Sequence, residues 1–227
     1  MESVLSNLHD GKMFLHGTTY KTTTALIPQN TAGQFNLPVG LTGSSVRSLF
    51  TRFSEQSATA TWGKYNSGCP NLNQFGFNIG GIQVPASLYN PLLYPAQCWR
   101  SFLMAMGNFN STQQKSGITA LNYCVLSSGG TATVAALGSQ SNTQDSYFAT
   151  TNATPNYQYQ SSFLLGENIE TIPKRGLISG RDLTFQKVNL VLGLNATLTN
   201  PVNVYVTAMM DTITIVVVVS GEVVTIL

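Results

Sequence analysis

Apolar and polar positions along the chain mark out a succession of short extended segments. Residues 13–27 (MFLHGTTYKTTTALI) are rich in Thr and aromatics and stop at Pro28, which predicts a strand. Gln34–Val39 (QFNLPV) alternates apolar with polar residues, and Pro38 points to an edge position. Val46–Phe53 (VRSLFTRF) fits two elements equally well. As a helix, Val46, Leu49, Phe50 and Phe53 form one stripe; as a strand, Arg47 and Arg52 cannot share a face. Asn73–Val84 (NQFGFNIGGIQV) turns Phe75, Phe77 and Ile79 inward, and Gly80-Gly81 makes the turn to a second short strand.

A link punctuated by Pro85, Pro91 and Pro95 follows. Helical spacing then appears at Ala96–Asn108, where Trp99, Phe102, Leu103 and Met106 recur on one face behind Pro95. A shorter helix is predicted at residues 2–9, where Val4, Leu5 and Leu8 share a face, so that 1–12 reads as a lead-in. Asn110–Gln160 is dominated by Ser, Thr, Asn and Gln, with weak strands at Thr119–Leu126 and Thr131–Leu137. It is too long for a simple connection and reads as an elaborated surface loop. Strand character returns at Ser161–Ile172, Leu183–Asn195 and Val202–Met210, with a turn at Thr199-Asn200-Pro201.

The chain closes on MMDTITIVVVVSGEVVTIL. A membrane-spanning helix needs about 20 apolar residues, and here Asp211 and Ser220-Gly221-Glu222 bracket a much shorter run. Its β-branched residues favour a strand, and Ser220-Gly221 predicts a tight hairpin. Ile213, Ile215, Val217 and Val219 are expected on one face and Val216 and Val218 on the other, both largely buried between sheets. The whole pattern describes an all-β fold: a jelly-roll or Ig-like β-sandwich with one or two short helices and long polar loops. No internal repeat or domain-breaking linker is evident, so residues 1–227 are expected to form a single domain.

Composition sharpens the picture. Only 9% of the 227 residues are charged, against a typical share of about 25%. Amides and hydroxyls cost less to desolvate than ions, so this surface suits extensive protein–protein burial. A net charge of +2 without a basic stripe argues against direct nucleic-acid binding. Cys69, Cys98 and Cys124 are odd in number and widely spaced, with no metal-binding pair, which points to a reducing compartment. The first residues lack the pattern of a signal peptide, so the sequons at Asn110, Asn152 and Asn195 are expected to be unused.

Candidate chemistry is sparse. The two histidines, His9 and His16, cannot make the clustered metal site of a cupin. Serines abound, but no G-x-S-x-G elbow is present. Glu167 and Glu170 stand three apart, which places them on opposite faces of a strand, so ion pairing with Lys174, Arg175 or Arg181 is expected instead of acid–base work, with Asp182 further on. Ser128-Gly129-Gly130 lacks the Lys-Ser/Thr of a phosphate loop. Trp99 is expected to pack, and Trp62 lies in a loop. No catalytic, cofactor-binding or metal-binding residue is assigned.

The order of the segments carries a resemblance. ESVLSNLHDGKMFLHGTTYKTTTALIP followed by QFNLPVGLTGSSVRSLFTRF, with Ser45-Val46-Arg47-Ser48-Leu49-Phe50 and Arg52-Phe53, resembles the opening of the C-terminal jelly roll of double jelly-roll major capsid proteins. That family occurs in nucleocytoplasmic large DNA viruses, virophages and polinton-like viruses. NLNQFGFNIGGIQVPASLYN, AQCWRSFLMAMGNFN, SSFLLGENIETI and the final strands follow in the family's order, over nearly the whole chain. The resemblance implies a non-enzymatic structural protein of the virion, made in the host cytoplasm or nucleus. It implies self-association through trimeric capsomers into an icosahedral shell, alongside minor capsid proteins, and places 110–160 as a tower or intersubunit loop. Family members carry two rolls per chain and this sequence has room for one. A piece of a longer protein and a penton-like single-roll vertex protein both fit that difference. Outside the family, a jelly-roll module that binds carbohydrate or a receptor is the alternative.

Overall fold

The computed structural model describes residues 12–56, 69, 71–91, 93–107, 123–127, 156–159, 163–170, 179–219 and 222–226. The expected lead-in helix at 2–9, the weak strand at Thr131–Leu137, Trp62, Lys174 and Arg175 lie outside them.

Among the described residues, eight strands form two facing antiparallel sheets, and a ninth pairs onto the end of the first. The first contains β1 (Lys12–Ile27), β3 (Val46–Glu55), β8 (Leu165–Asn168) and β10 (Val202–Val219), in the order β1-β10-β3-β8. The second contains β2 (Gly33–Val39), β4 (Leu72–Ile79), β5 (Ile82–Tyr89) and β9 (Val188–Leu194), in the order β2-β9-β4-β5. Each of the first three strands hands the chain to the opposite sheet, and β10 returns to lie beside β1. That double Greek key is a jelly roll.

The core lies between the sheets. Val202, Val204, Val206 and Ala208 of β10 stand beside Phe53, Thr51 and Leu49 of β3 and are buried. From the other sheet come Phe75, Phe77 and Ile79 of β4 with Val188, Leu190 and Leu192 of β9. The tight β4–β5 turn requires φ > 0 at both positions, and Gly80 (60°) and Gly81 (89°) supply it. Pro38 sits on β2, an edge strand as its sequence predicts.

The structure settles one open reading and corrects several expectations. Val46–Phe53 is a strand, because both of its faces are covered: Leu49, Thr51 and Phe53 face the sandwich, while Ser48 and Phe50 lie under the helix α1 (Pro95–Ala105). β5 does not stop at Pro85 but continues to Tyr89; on an edge strand a proline leaves no ladder partner wanting. Leu183–Lys187 is not strand but a turn, so β9 begins only at Val188. In α1 the buried face is Cys98, Ser101, Phe102 and Ala105, and Met106 is exposed beyond its end. Within 110–160, β6 (Cys124–Ser127) pairs with β7 (Asn156–Tyr159).

The largest correction concerns the closing run. Asp211 does not interrupt the chain, and β10 is one strand of 18 residues. Its pairing with β3 ends at Met210↔Val46, whereas its pairing with β1 continues to Lys12↔Val217. Beyond Met210 it forms a ribbon with β1 and with β11 (Glu222–Ile226), which closes the expected hairpin through Val219↔Glu222. Ile213 and Ile215 are therefore only partly buried and stand outside the core, in place of the expected position between sheets. The side chains at 216–219 lie outside the described residues.

Candidate functional site

Three polar or exposed features stand apart from the apolar core. The first is a knot at the root of the ribbon. Ile169 N–H donates to Arg47 C=O (2.9 Å), holding the chain beyond β8 against β3. Arg47 Nε then donates to Glu170 Oε1 at 2.8 Å, and its Nη1 lies 3.7 Å from Asp211 Oδ1. Ser179 Oγ donates to Glu170 Oε1 (2.7 Å), and Ser45 Oγ to Asp211 Oδ2 (2.8 Å). Both carboxylates are buried, with side chains 5% and 8% exposed, so their hydrogen bonds are what makes burial tolerable.

Glu170 pairs with Arg47, which β3 places alongside through strand pairing, while Lys174 and Arg175, two of the partners expected from the sequence, lie outside the described residues. Arg181 instead forms an isolated backbone bridge with Val46, and its Nη2 reaches the Ile79 carbonyl at 3.5 Å. The Thr184 hydroxyl, together with Thr184 N–H, which donates to Asp182 Oδ1 at 2.8 Å, holds the Asp182 carboxyl below its usual value.

The second feature lies where α1 crosses the edge of the sandwich. Glu167 of β8 is 7% exposed and accepts a hydrogen bond from Ser101 Oγ (2.8 Å), which also reaches Gly166 C=O (2.7 Å). The Tyr89 hydroxyl bonds to the same carboxyl. Burial pushes the Glu167 carboxyl above its ordinary value, against the lowering effect of those two hydroxyls. Burial likewise pushes Tyr89 up to about 12. A groove of about 420 Å³ opens beside this cluster, between Pro85 and Tyr89 of β5 and Gln97, Arg100 and Met104 of α1.

Ser101 Oγ, with one proton to give, lies 2.7 Å from the Gly166 carbonyl and 2.8 Å from Glu167 Oε2, so the cluster fixes the hydroxyl between a carbonyl and a carboxyl. Glu167 and Glu170, three apart, go to separate places, because β8 ends at Asn168 and Glu170 lies on the segment beyond it. His16 is exposed on β1 opposite Ile213. Among the described residues no group of three His, Cys, Asp or Glu side chains could hold a metal ion. Trp99 packs, as expected, against Phe102 and Tyr123, with ring centroids 5.7 and 5.0 Å away. Cys69 and Cys98 are buried thiols.

The third feature is an exposed apolar pair at the ribbon's end of the molecule. Phe185 is 96% exposed and Ile82 59%. They wall a groove of about 620 Å³ together with Asn78, Arg181, Gln186 and Lys187. The turn that carries Phe185 is fixed by the buried Leu183 behind it, whose C=O accepts from Gln186 N–H (3.3 Å). Its only sequence signal is an aromatic among polar neighbours (Thr184, Gln186, Lys187), which a strand reading of that stretch conceals. No described helix is long and apolar enough to cross a membrane.

No protein-family model matches the sequence, and no curated protein matches it. Among solved structures, the chain is similar to PBCV-1 VP54 as fitted into a cryo-EM reconstruction of the virophage Sputnik (10% identity, TM-score 0.41), covering 95% of this chain and 51% of that one. It is also similar to a chain of the Sputnik virophage (11%, TM-score 0.43), covering 96% of this chain and 39% of that one. A third similarity is to a quasi-atomic model of the PBCV-1 virus capsid (10%, TM-score 0.40), covering 95% and 51%. The chain spans about half the length of these proteins, or less.

Proposed function

We propose that this chain is a jelly roll of a viral capsid protein, a structural element that self-associates through trimeric capsomers into an icosahedral shell and resides in the virion. One observation carries the reading: a jelly roll whose β1–β10–β11 ribbon extends past the sandwich, leaving partly buried Ile213 and Ile215 and a 16-residue edge strand that, among the described residues, pairs with β10 alone. A β edge of that length, uncovered by any described residue, is a pairing template and is favourable only where neighbours cover it. The low share of charge, 9% of residues, lowers the cost of that coverage. On this reading the chain acts by burial rather than catalysis, and a two-roll parent protein accommodates its length.

Sedimentation of the purified protein over a range of concentrations tests the proposal, with electron microscopy of the heavier fractions. Trimers and larger closed assemblies are expected. A protein that stays monomeric at all concentrations and binds glycans overturns it in favour of a carbohydrate- or receptor-binding module.

A further inference from the structure

The groove at Phe185 has the features of a seat for an acidic, apolar peptide, and the chain itself carries one. Arg181 and Lys187 give the groove positive charge, while Phe185 and Ile82 offer apolar walls. Residues 1–11 (MESVLSNLHDG) contain Glu2 and Asp10, no lysine or arginine, and the spaced apolar residues Val4, Leu5 and Leu8. Of the nine carboxylates in the sequence, Glu167, Glu170 and Asp211 are engaged internally and Asp182 belongs to the groove's own loop. Of the rest, only residues 1–11 bring two carboxylates together with apolar anchors.

We infer that residues 1–11 of a second copy of this chain occupy the groove, with an apolar side chain between Ile82 and Phe185 and a carboxylate on Lys187 or Arg181. Reach favours a neighbour over the chain's own segment. Arg181 bridges Val46 at the ribbon's root, whereas Lys12 lies six residues out from Thr18, the residue opposite Asp211. That is roughly 20 Å at the rise of a strand. Eleven residues span at most about 35–40 Å, so folding back would use more than half the segment merely in returning. The inference rests on the capsid reading, because it names one contact through which copies would join.

The test places a photocrosslinker at the knob, Phe185→p-benzoylphenylalanine, in an equimolar mixture of ¹⁴N- and ¹⁵N-labelled full-length chains. The replaced side chain is exposed, so circular dichroism should match the parent. Under conditions where the protein sediments as trimers or larger, mixed-isotope cross-links to residues 1–11 are expected. Alongside, Lys187→Glu should weaken association about threefold at low salt, and mixing it with a Glu2→Lys/Asp10→Lys chain should restore it. Cross-links confined to one isotope overturn the inference in favour of an intramolecular seat. Cross-links to another segment, such as that around Asp145, Tyr147 and Phe148, overturn it in favour of a different occupant. Assemblies that form without any cross-link at this groove remove the inference and leave the capsid reading standing. A protein that never associates removes both.

Discussion

Ser45 and Asp211, separated by 166 residues in sequence, meet through a 2.8 Å hydrogen bond from the serine Oγ to the carboxylate Oδ2. The bond fastens the loop after β2 to β10 at the point where β10 leaves the sandwich. Asp211 N–H donates to Ser45 C=O (3.0 Å) and Ser179 N–H donates to the same Oδ2 (3.2 Å), so three segments share one carboxylate. Asp211→Ala strips the partner from a buried hydroxyl and a backbone N–H, and leaves Arg47 with Glu170 alone. Stability should fall by about 2–3 kcal/mol, measured by urea unfolding. A loss below about 0.5 kcal/mol would mean that the ribbon's root is held by backbone pairing instead.

Gly180 tests the same junction from the other side. A Cβ there would lie 2.3 Å from the Ser45 carbonyl carbon and 2.6 Å from Val46 N, which are backbone atoms that cannot swing aside. Gly180→Ala should therefore cost about 2–3 kcal/mol. The same substitution at Gly40, which has nothing within 4 Å, should be nearly neutral. Equal effects at the two positions would show that close approach is not the cause.

How far the sequence could be read depended on whether a signal was local. The β4–β5 hairpin was legible because its Phe75/Phe77/Ile79 alternation and its Gly-Gly turn lie within one window. Pro38 likewise announced an edge strand. Val46–Phe53 stayed ambiguous because α1 covers the outer face of β3, which erases the polar half of the alternation. Asp211 looked like a strand terminator because an isolated carboxylate in an apolar run is costly. The partners that make it acceptable, Ser45, Arg47 and the Ser179 N–H, come from distant segments. The Glu170–Arg47 pair and the Glu167–Ser101–Tyr89 cluster were hidden in the same way, since no periodicity encodes a contact across a sandwich.

Glu167 should make stability fall as pH rises. Burial raises its pKa in the folded state above the unfolded value, so the folded protein binds the proton more tightly. The stabilising contribution is therefore complete below the ordinary carboxylate pKa of about 4.5 and is lost as pH climbs through the raised one. Thermal unfolding from pH 4 to 8 should show this decline, and Glu167→Gln should flatten it and unfold at higher temperature near neutrality. A parallel pH profile for the two proteins would assign the decline to other groups.

Phe102 is the residue through which α1 grips the sandwich. It is 1% exposed and meets Phe50 of β3 edge-on, with ring centroids 6.3 Å apart. On its other side it stacks on Tyr123 at 5.9 Å, so one ring joins the helix to both β3 and the segment leading into β6. Phe102→Ala should cost about 3–5 kcal/mol and shift tryptophan emission to the red as Trp99 loses its cover. An unchanged spectrum would show that the helix stays seated without this ring.

Thr51 supplies a prediction of the opposite sign. Its side chain lies on the inner face of β3, between Val206 of β10 and Leu165 of β8, and is completely buried. Its Oγ1 has no hydrogen-bond partner among the described residues. A buried hydroxyl that has given up water without gaining a bond is a net cost, whereas a methyl group of the same size would belong among those neighbours. Thr51→Val keeps the β-branched shape that suits the strand, and should raise stability by about 1 kcal/mol in urea unfolding. Thr207→Val is the contrasting case, because Thr207 Oγ1 is bonded to Thr22 Oγ1 at 2.9 Å on the exposed face. That substitution should give no gain. If Thr51→Val instead destabilises the protein, the hydroxyl has a partner that matters, such as an internal water.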